Sequence, residues 1–99
     1  MKFLNYTFNF GHLKKDSVYL GRSIFKNIGG DTLKISQISA DCSCTKVRVS
    51  KRNLLHNETA IVDFSYRTSG KKGTQENFIT IIANTDSIVH LLQVDAFVE

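Results

Sequence analysis

The stretch Thr59-Ala60-Ile61-Val62-Asp63-Phe64-Ser65-Tyr66-Arg67 changes character at nearly every step. Ala60, Val62, Phe64 and Tyr66 fall on one side of an extended chain and Asp63, Ser65 and Arg67 on the other, because successive strand side chains point to opposite faces. A helix would scatter the same apolar residues around its circumference. The stretch predicts a strand with one face in a core and the other in water.

The same period of two recurs in Tyr6, Phe8 and Phe10, in Leu33 and Ile35, and in Val47 and Val49 beside Lys46 and Arg48. Turn-forming residues separate these segments: Gly11-His12, Asn27-Ile28-Gly29-Gly30-Asp31, His56-Asn57-Glu58, Ser69-Gly70-Lys71-Lys72-Gly73 and Asn84-Thr85-Asp86. The two glycine-rich ones read as hairpin turns. The runs between predict strands near 3–10, 18–26, 32–39, 45–50, 59–68, 75–83 and 87–98. No segment holds a 3.6-residue period over three turns. About seven short strands with frequent turns predict an all-β, immunoglobulin-like antiparallel β-sandwich. The 99 residues suit one core, so residues 1–99 read as a single domain.

Two runs, Phe78-Ile79-Thr80-Ile81-Ile82-Ala83 and Ile88-Val89-His90-Leu91-Leu92-Gln93-Val94, are apolar on both faces. They are expected either as central strands or as strands with one face against a partner. Proline, a common device for blunting sheet edges, is absent, and lysine is expected to take that role.

The composition, 41% hydrophobic and 22% charged, is that of an ordinary soluble globular chain. No apolar run approaches the roughly 18 residues of a membrane-spanning helix, and the first residues, Met1-Lys2-Phe3-Leu4-Asn5-Tyr6, lack the apolar stretch of an export signal. A net charge of +4 raises nucleic-acid binding as a question. The charges are dispersed, however. Only Lys46, Arg48, Lys51 and Arg52 gather loosely around one strand, as a candidate basic surface, and a solvated face with charged edges accounts for them better than a phosphate-binding stripe.

The one sharp local motif is Cys42-Ser43-Cys44-Thr45. In an extended chain the two thiols share a face with Cα atoms about 6.6 Å apart, at ~3.3 Å per residue, so a disulfide between them needs a local bend. Three readings stand. The cysteines can be small buried space-fillers, a bent redox pair, or two thiolates for Cu(I) or Zn²⁺. The last needs further ligands, and the chain offers only scattered His12, His56, His90 and Met1.

Catalytic patterns are otherwise missing. His12 and His56 fall in expected turns, and His90 alternates with Ile88, Leu92 and Val94 as a core or rim residue with no nucleophile beside it. Gly29-Gly30 and Gly70-Lys71-Lys72-Gly73 do not open helices that could hold a phosphate. Asp41, Asp63, Asp86 and Asp95 lie on separate segments, so spacing proposes no carboxylate pair.

Phe8-Asn9-Phe10-Gly11, Phe25-Lys26-Asn27-Ile28-Gly29, Leu33-Lys34-Ile35, Cys42-Ser43-Cys44-Thr45 and Asn84 follow one another in an order that resembles a family of bacterial immunoglobulin-like domains of unknown function. That family is common in cell-envelope proteins of Bacteroidetes and related to Hydin-type and major-sperm-protein sandwiches. Two departures stand out: Ser43 where the family has glycine, and Leu55-His56-Asn57-Glu58 where it has a proline-glycine pair. The resemblance implies a non-enzymatic binding or scaffolding module acting through protein–protein contacts, with no catalytic residue and no cofactor. It also implies a place in the periplasm or at the cell surface once a signal has been trimmed. A protein partner is expected, and neither nucleic acid nor a membrane span. The alternative function is thiol redox or soft-metal handling by Cys42 and Cys44.

Overall fold

The computed structural model describes residues 2–3, 6–84 and 89–99. Met1, Leu4, Asn5 and residues 85–88 lie outside the described residues, and with them parts of the strands expected near 3–10 and 87–98 and most of the turn expected at Asn84-Thr85-Asp86.

The described residues form nine strands: β1 (Lys2–Phe3), β2 (Thr7–Leu13), β3 (Val18–Lys26), β4 (Leu33–Ala40), β5 (Thr45–Val49), β6 (Asn53–Leu54), β7 (Thr59–Arg67), β8 (Gly73–Ala83) and β9 (Val89–Val98). They make a four-stranded sheet, β1-β3-β7-β5, and a five-stranded sheet, β2-β9-β8-β4-β6. The protein is an all-β sandwich. The expected strands near 18–26, 32–39, 45–50, 59–68 and 75–83 sit within two residues of β3, β4, β5, β7 and β8.

β7 shows why the sandwich forms. Ala60, Val62, Phe64 and Tyr66 are buried, and Ile61, Asp63 and Ser65 are half-buried on the opposite face. Burying each large apolar side chain of such a row contributes about 1.5–3 kcal/mol. Facing them from the five-stranded sheet are Ile79, Ile81, Leu92 and Val94, all buried in the same core. A smaller cluster of Leu13, Tyr66 and Ala96 closes one end. The two doubly apolar runs are central strands: β8 and β9 pair with each other from Gly73↔Val98 to Ile82↔Val89 and have strands on both outer sides.

Four features differ from the sequence reading. The first expected strand divides between the sheets, β1 pairing with β3 and β2 with β9. The β2–β9 pairing is parallel, whereas the rest are antiparallel. Gly11 does not turn the chain: it lies within β2 at a register shift between Asn9 and His12, with φ of 77°, so the left-handed conformation that glycine tolerates serves a bulge. The glycine-rich segments after β3 and after β7 are not hairpins, since each carries the chain from the four-stranded to the five-stranded sheet.

The first of these crossings is held by Asn27, only 2% exposed. Its Nδ2 donates to the carbonyls of Leu54 and Asp31, both at 2.9 Å, and its Oδ1 accepts from the Gly29 N–H at 3.0 Å. Opposite it, Asn57 N–H donates to the Asn27 carbonyl at 2.8 Å. Asn57 has φ of 68°, so asparagine, the side chain that best tolerates this region after glycine, stands where the related pattern has a proline-glycine turn.

Candidate functional site

Two places combine chemistry with access. The first is the knuckle between β4 and β5, where the chain passes from one sheet to the other. Asp41 N–H donates to the Phe78 carbonyl at 3.1 Å as the chain leaves β8's side, and Thr45 N–H donates to the Cys42 carbonyl at 3.1 Å as it enters β5. This turn supplies the bend that an extended chain lacks. The Cα atoms of Cys42 and Cys44 come to 5.2 Å and the two residues form a disulfide. Ser43 is not in a left-handed conformation, so the turn does not need the glycine of the related pattern.

The sulfur atoms have different surroundings. Cys42 Sγ accepts the Cys44 backbone N–H at 3.2 Å and has Lys71 Nζ at 3.6 Å. Cys44 Sγ lies 3.7 Å from Thr45 Oγ1, and the residue packs against the Leu13–Tyr66–Ala96 cluster. Both cysteines are half-buried. Lys71 is itself fixed: its N–H donates to the Thr68 carbonyl at 3.1 Å, and its ammonium sits over the Tyr66 ring, 5.5 Å from the centroid. Thr68 is fully buried and its hydroxyl accepts the Ser17 N–H at 3.0 Å. Tyr66 OH donates to Asn77 Oδ1 at 3.1 Å, and Asn77 Nδ2 donates to Asp41 Oδ1 at 3.3 Å. Burial pushes the Tyr66 phenol up, and the Asp41 carboxylate adds to it. Among the described residues no group of three or more His, Cys, Asp or Glu side chains is placed to hold a metal ion.

The second place is the outer face of the four-stranded sheet. β3 turns Val18, Leu20 and Ile24 outward, and they are 62%, 80% and 38% exposed. Register puts Leu20 opposite Ser65, with Lys46 beyond it, and Arg22 opposite Asp63, with Arg48 beyond it. Arg22 Nε binds Asp63 Oδ1 at 2.9 Å, while among the described residues Lys46 and Arg48 make no ion pair. A hollow of about 730 Å³ opens here, with Leu20, Val47 and Phe64 among its apolar lining and Arg22, Lys46 and Arg48 among its charged lining.

The candidate basic surface is therefore divided. Lys46 and Arg48 stand together on edge strand β5 beside the hollow. Lys51 is instead bound to Glu58 Oε2 at 2.6 Å, and the backbone carbonyl of Arg52 receives the Ile35 N–H at 2.8 Å. His12 is exposed in β2, 3.6 Å from a Glu99 oxygen, and His56 Nδ1 lies 2.6 Å from the Gly29 carbonyl. His90 is half-buried in β9.

Lys71 at the disulfide and the row Val18, Leu20 and Ile24 were not singled out from the sequence. The row had a signal, since Val18, Leu20 and Ile24 alternate with the core-facing Tyr19 and Phe25. Lys71, 29 residues from Cys42, had none.

The chain belongs to the family described as "Protein of unknown function (DUF1573)", whose model matches residues 1–98. No curated protein matches it. Among solved structures it is similar to a protein of unknown function from Porphyromonas gingivalis, at 11% identity and a TM-score of 0.81, over 93% of this chain and 44% of that one. It is also similar to two Vibrio cholerae proteins. One is the secreted serine protease VesC, at 12% identity and TM-score 0.70, over 91% of this chain and 21% of that one. The other is the VesB protease, at 10% identity and TM-score 0.72, over 94% and 30%. These likenesses establish the fold, and in each case the chain spans less than half of the longer protein.

Proposed function

We propose that this chain is a non-enzymatic interaction module of the cell envelope that holds an acidic partner protein against the outer face of its four-stranded sheet. The observation that carries the proposal is Leu20, 80% exposed on the face it shares with Val18 and Ile24 and bordered by Lys46 and Arg48, which make no ion pair among the described residues. Single exposed leucines need no explanation, but Leu20 next to Val18 on one face and at the mouth of a hollow, with Ile24 beyond Arg22, suits a protein surface. The cations would steer an acidic partner and set its orientation. A nucleic acid fits less well, because Val18, Leu20, Ile24 and Ile61 and the carboxylate of Asp63 interrupt the cations of this face.

The disulfide supports a periplasmic or cell-surface setting, where such bonds persist. The strand order supports an immunoglobulin-like kinship, with β1-β3-β7-β5 against β9-β8-β4 following the A-B-E-D and G-F-C partition of that fold, and with it the relation to Hydin-type and major-sperm-protein sandwiches. The similarity to part of a protein described as a secreted serine protease suits an accessory module within longer exported chains. Among the described residues no helix is long and apolar enough to cross a membrane.

The test is chemical cross-linking and size measurement in native extracts with wild type, L20D and the K46E/R48E pair. A discrete complex with an acidic protein, lost in both variants while their melting temperatures stay within the small range typical of surface changes, is the expected outcome. A lone monomer in every sample, or a complex indifferent to both variants, would remove the proposal.

A further inference from the structure

We propose that Cys42 and Cys44 are a dithiol–disulfide exchange pair in which Cys42 is the thiolate-forming member and Lys71 is its positioning cation. Three observations at this knuckle converge on this assignment. The bend at residues 41–44 brings the two cysteines within bonding distance at a half-exposed crossing between sheets, outside the main core. Cys42 Sγ has two donors at hand, the Lys71 ammonium at 3.6 Å and the Cys44 N–H at 3.2 Å. Among the described residues Cys44 Sγ has only the Thr45 hydroxyl, at 3.7 Å, and its residue leans on an apolar cluster. A thiolate is stabilised by a nearby cation and by hydrogen-bond donors and is disfavoured by apolar surroundings, so the negative charge belongs on Cys42.

Lys71 is placed there by structure, not by chance proximity. Its backbone is tied to Thr68, a residue buried without exposure, and its side chain is stretched across the Tyr66 ring.

The exchange follows from these contacts. A thiolate of an external dithiol attacks Cys44 Sγ, and the Cys42–Cys44 bond breaks with its electron pair leaving on Cys42, beside Lys71. The second thiol of the external molecule loses its proton to solvent and attacks the mixed disulfide at its own partner sulfur. Cys44 leaves as a thiolate and takes a proton from solvent. The chain gains two electrons and becomes the dithiol, and the external dithiol becomes a disulfide. Reoxidation takes the other mixed disulfide: the Cys42 thiolate attacks an external disulfide and one external sulfur leaves as a thiolate, then the Cys44 thiol loses its proton to solvent and attacks Cys42 Sγ, releasing the second external sulfur as a thiolate, so the external disulfide becomes the dithiol.

The test uses the chain reduced with dithiothreitol and freed of reductant, with circular dichroism confirming that the sandwich is kept. It is alkylated with iodoacetamide between pH 5.5 and 9.5, and the two positions are counted by peptide mass. Cys42 is expected to label roughly tenfold faster than Cys44 at pH 6, where a thiol without a cation is almost wholly protonated. K71Q should slow Cys42 labelling severalfold, toward the Cys44 rate, and slow reduction of the oxidised chain by dithiothreitol severalfold, while K71R should preserve both rates. Equal labelling of the two cysteines in the wild-type chain would overturn the proposal, as would a K71Q chain with unchanged rates.

Discussion

Gly21 is where the packing of the sandwich is tightest and most open to test. It faces inward from β3, opposite Phe64 of β7. A Cβ placed there would lie 2.4 Å from Phe64 Cε2, 2.5 Å from Cζ and 3.1 Å from Phe10 Cζ. Ordinary contact needs about 3.5–4.0 Å between carbons, so the Phe64 ring must retreat by roughly 1 Å. It has little room to do so, because Phe8 and Phe10 stand edge-on at centroid distances of 5.1 and 5.9 Å. Overpacking of this kind costs about 1–3 kcal/mol, and the collision with two ring atoms places Gly21→Ala at the upper end. Alanine recovers about 0.4–1 kcal/mol by restricting the unfolded chain. The net loss is about 2 kcal/mol, which lowers the melting temperature by roughly 8–16 °C in a domain of this size. Urea unfolding of wild type, G21A, F64L and the double variant would measure it. Phe64→Leu alone should destabilise, and it should relieve G21A, so that the double variant loses less than the sum of the two. Additive losses, or a G21A chain as stable as wild type, would refute the steric account.

Asn27→Ala removes three hydrogen bonds at a buried site, so a loss of about 2–3 kcal/mol is expected in urea unfolding; Asn27→Asp should rescue little, because it has no donors for the Leu54 and Asp31 carbonyls. The Lys51 ammonium and then the Leu55 N–H hold the Glu58 carboxyl below its ordinary value of 4.5. Since the folded value is depressed, the contribution is present above the unfolded value and is lost as pH falls through the folded one, so stability measured between pH 7 and pH 3 should drop less steeply in Glu58→Gln than in wild type.

How much was legible in the sequence depended on whether a feature is local. β3 and β7 show themselves in their own alternation, since the period of two needs no knowledge of the partner strand. Pairing is another matter: nothing in the residues around Phe3 and Phe8 states that one joins β3 and the other β9. Gly11 illustrates a second limit. Positive φ serves a turn and a bulge alike, so glycine marks the conformation without marking its use. The glycines around Lys71 likewise show that the chain turns, but not that it changes sheets. β6 has only Asn53 and Leu54, too few for any period. At the cysteines the spacing exposed the need for a bend, while the cation that distinguishes Cys42 from Cys44 came from a remote segment that only tertiary folding brings near.

The parallel β2–β9 ladder has a mechanical consequence. Thr7 pairs near Gln93 and Leu13 near Val98, so the chain enters β2 at one end of the ladder and leaves β9 at the other. Tension applied through the two ends therefore pulls these strands along their length in opposite directions. Their hydrogen bonds are loaded together, as in a lap joint, whereas strands pulled from a shared end would unzip one bond at a time. A chain anchored on one side and gripped on the other would resist force best along this axis.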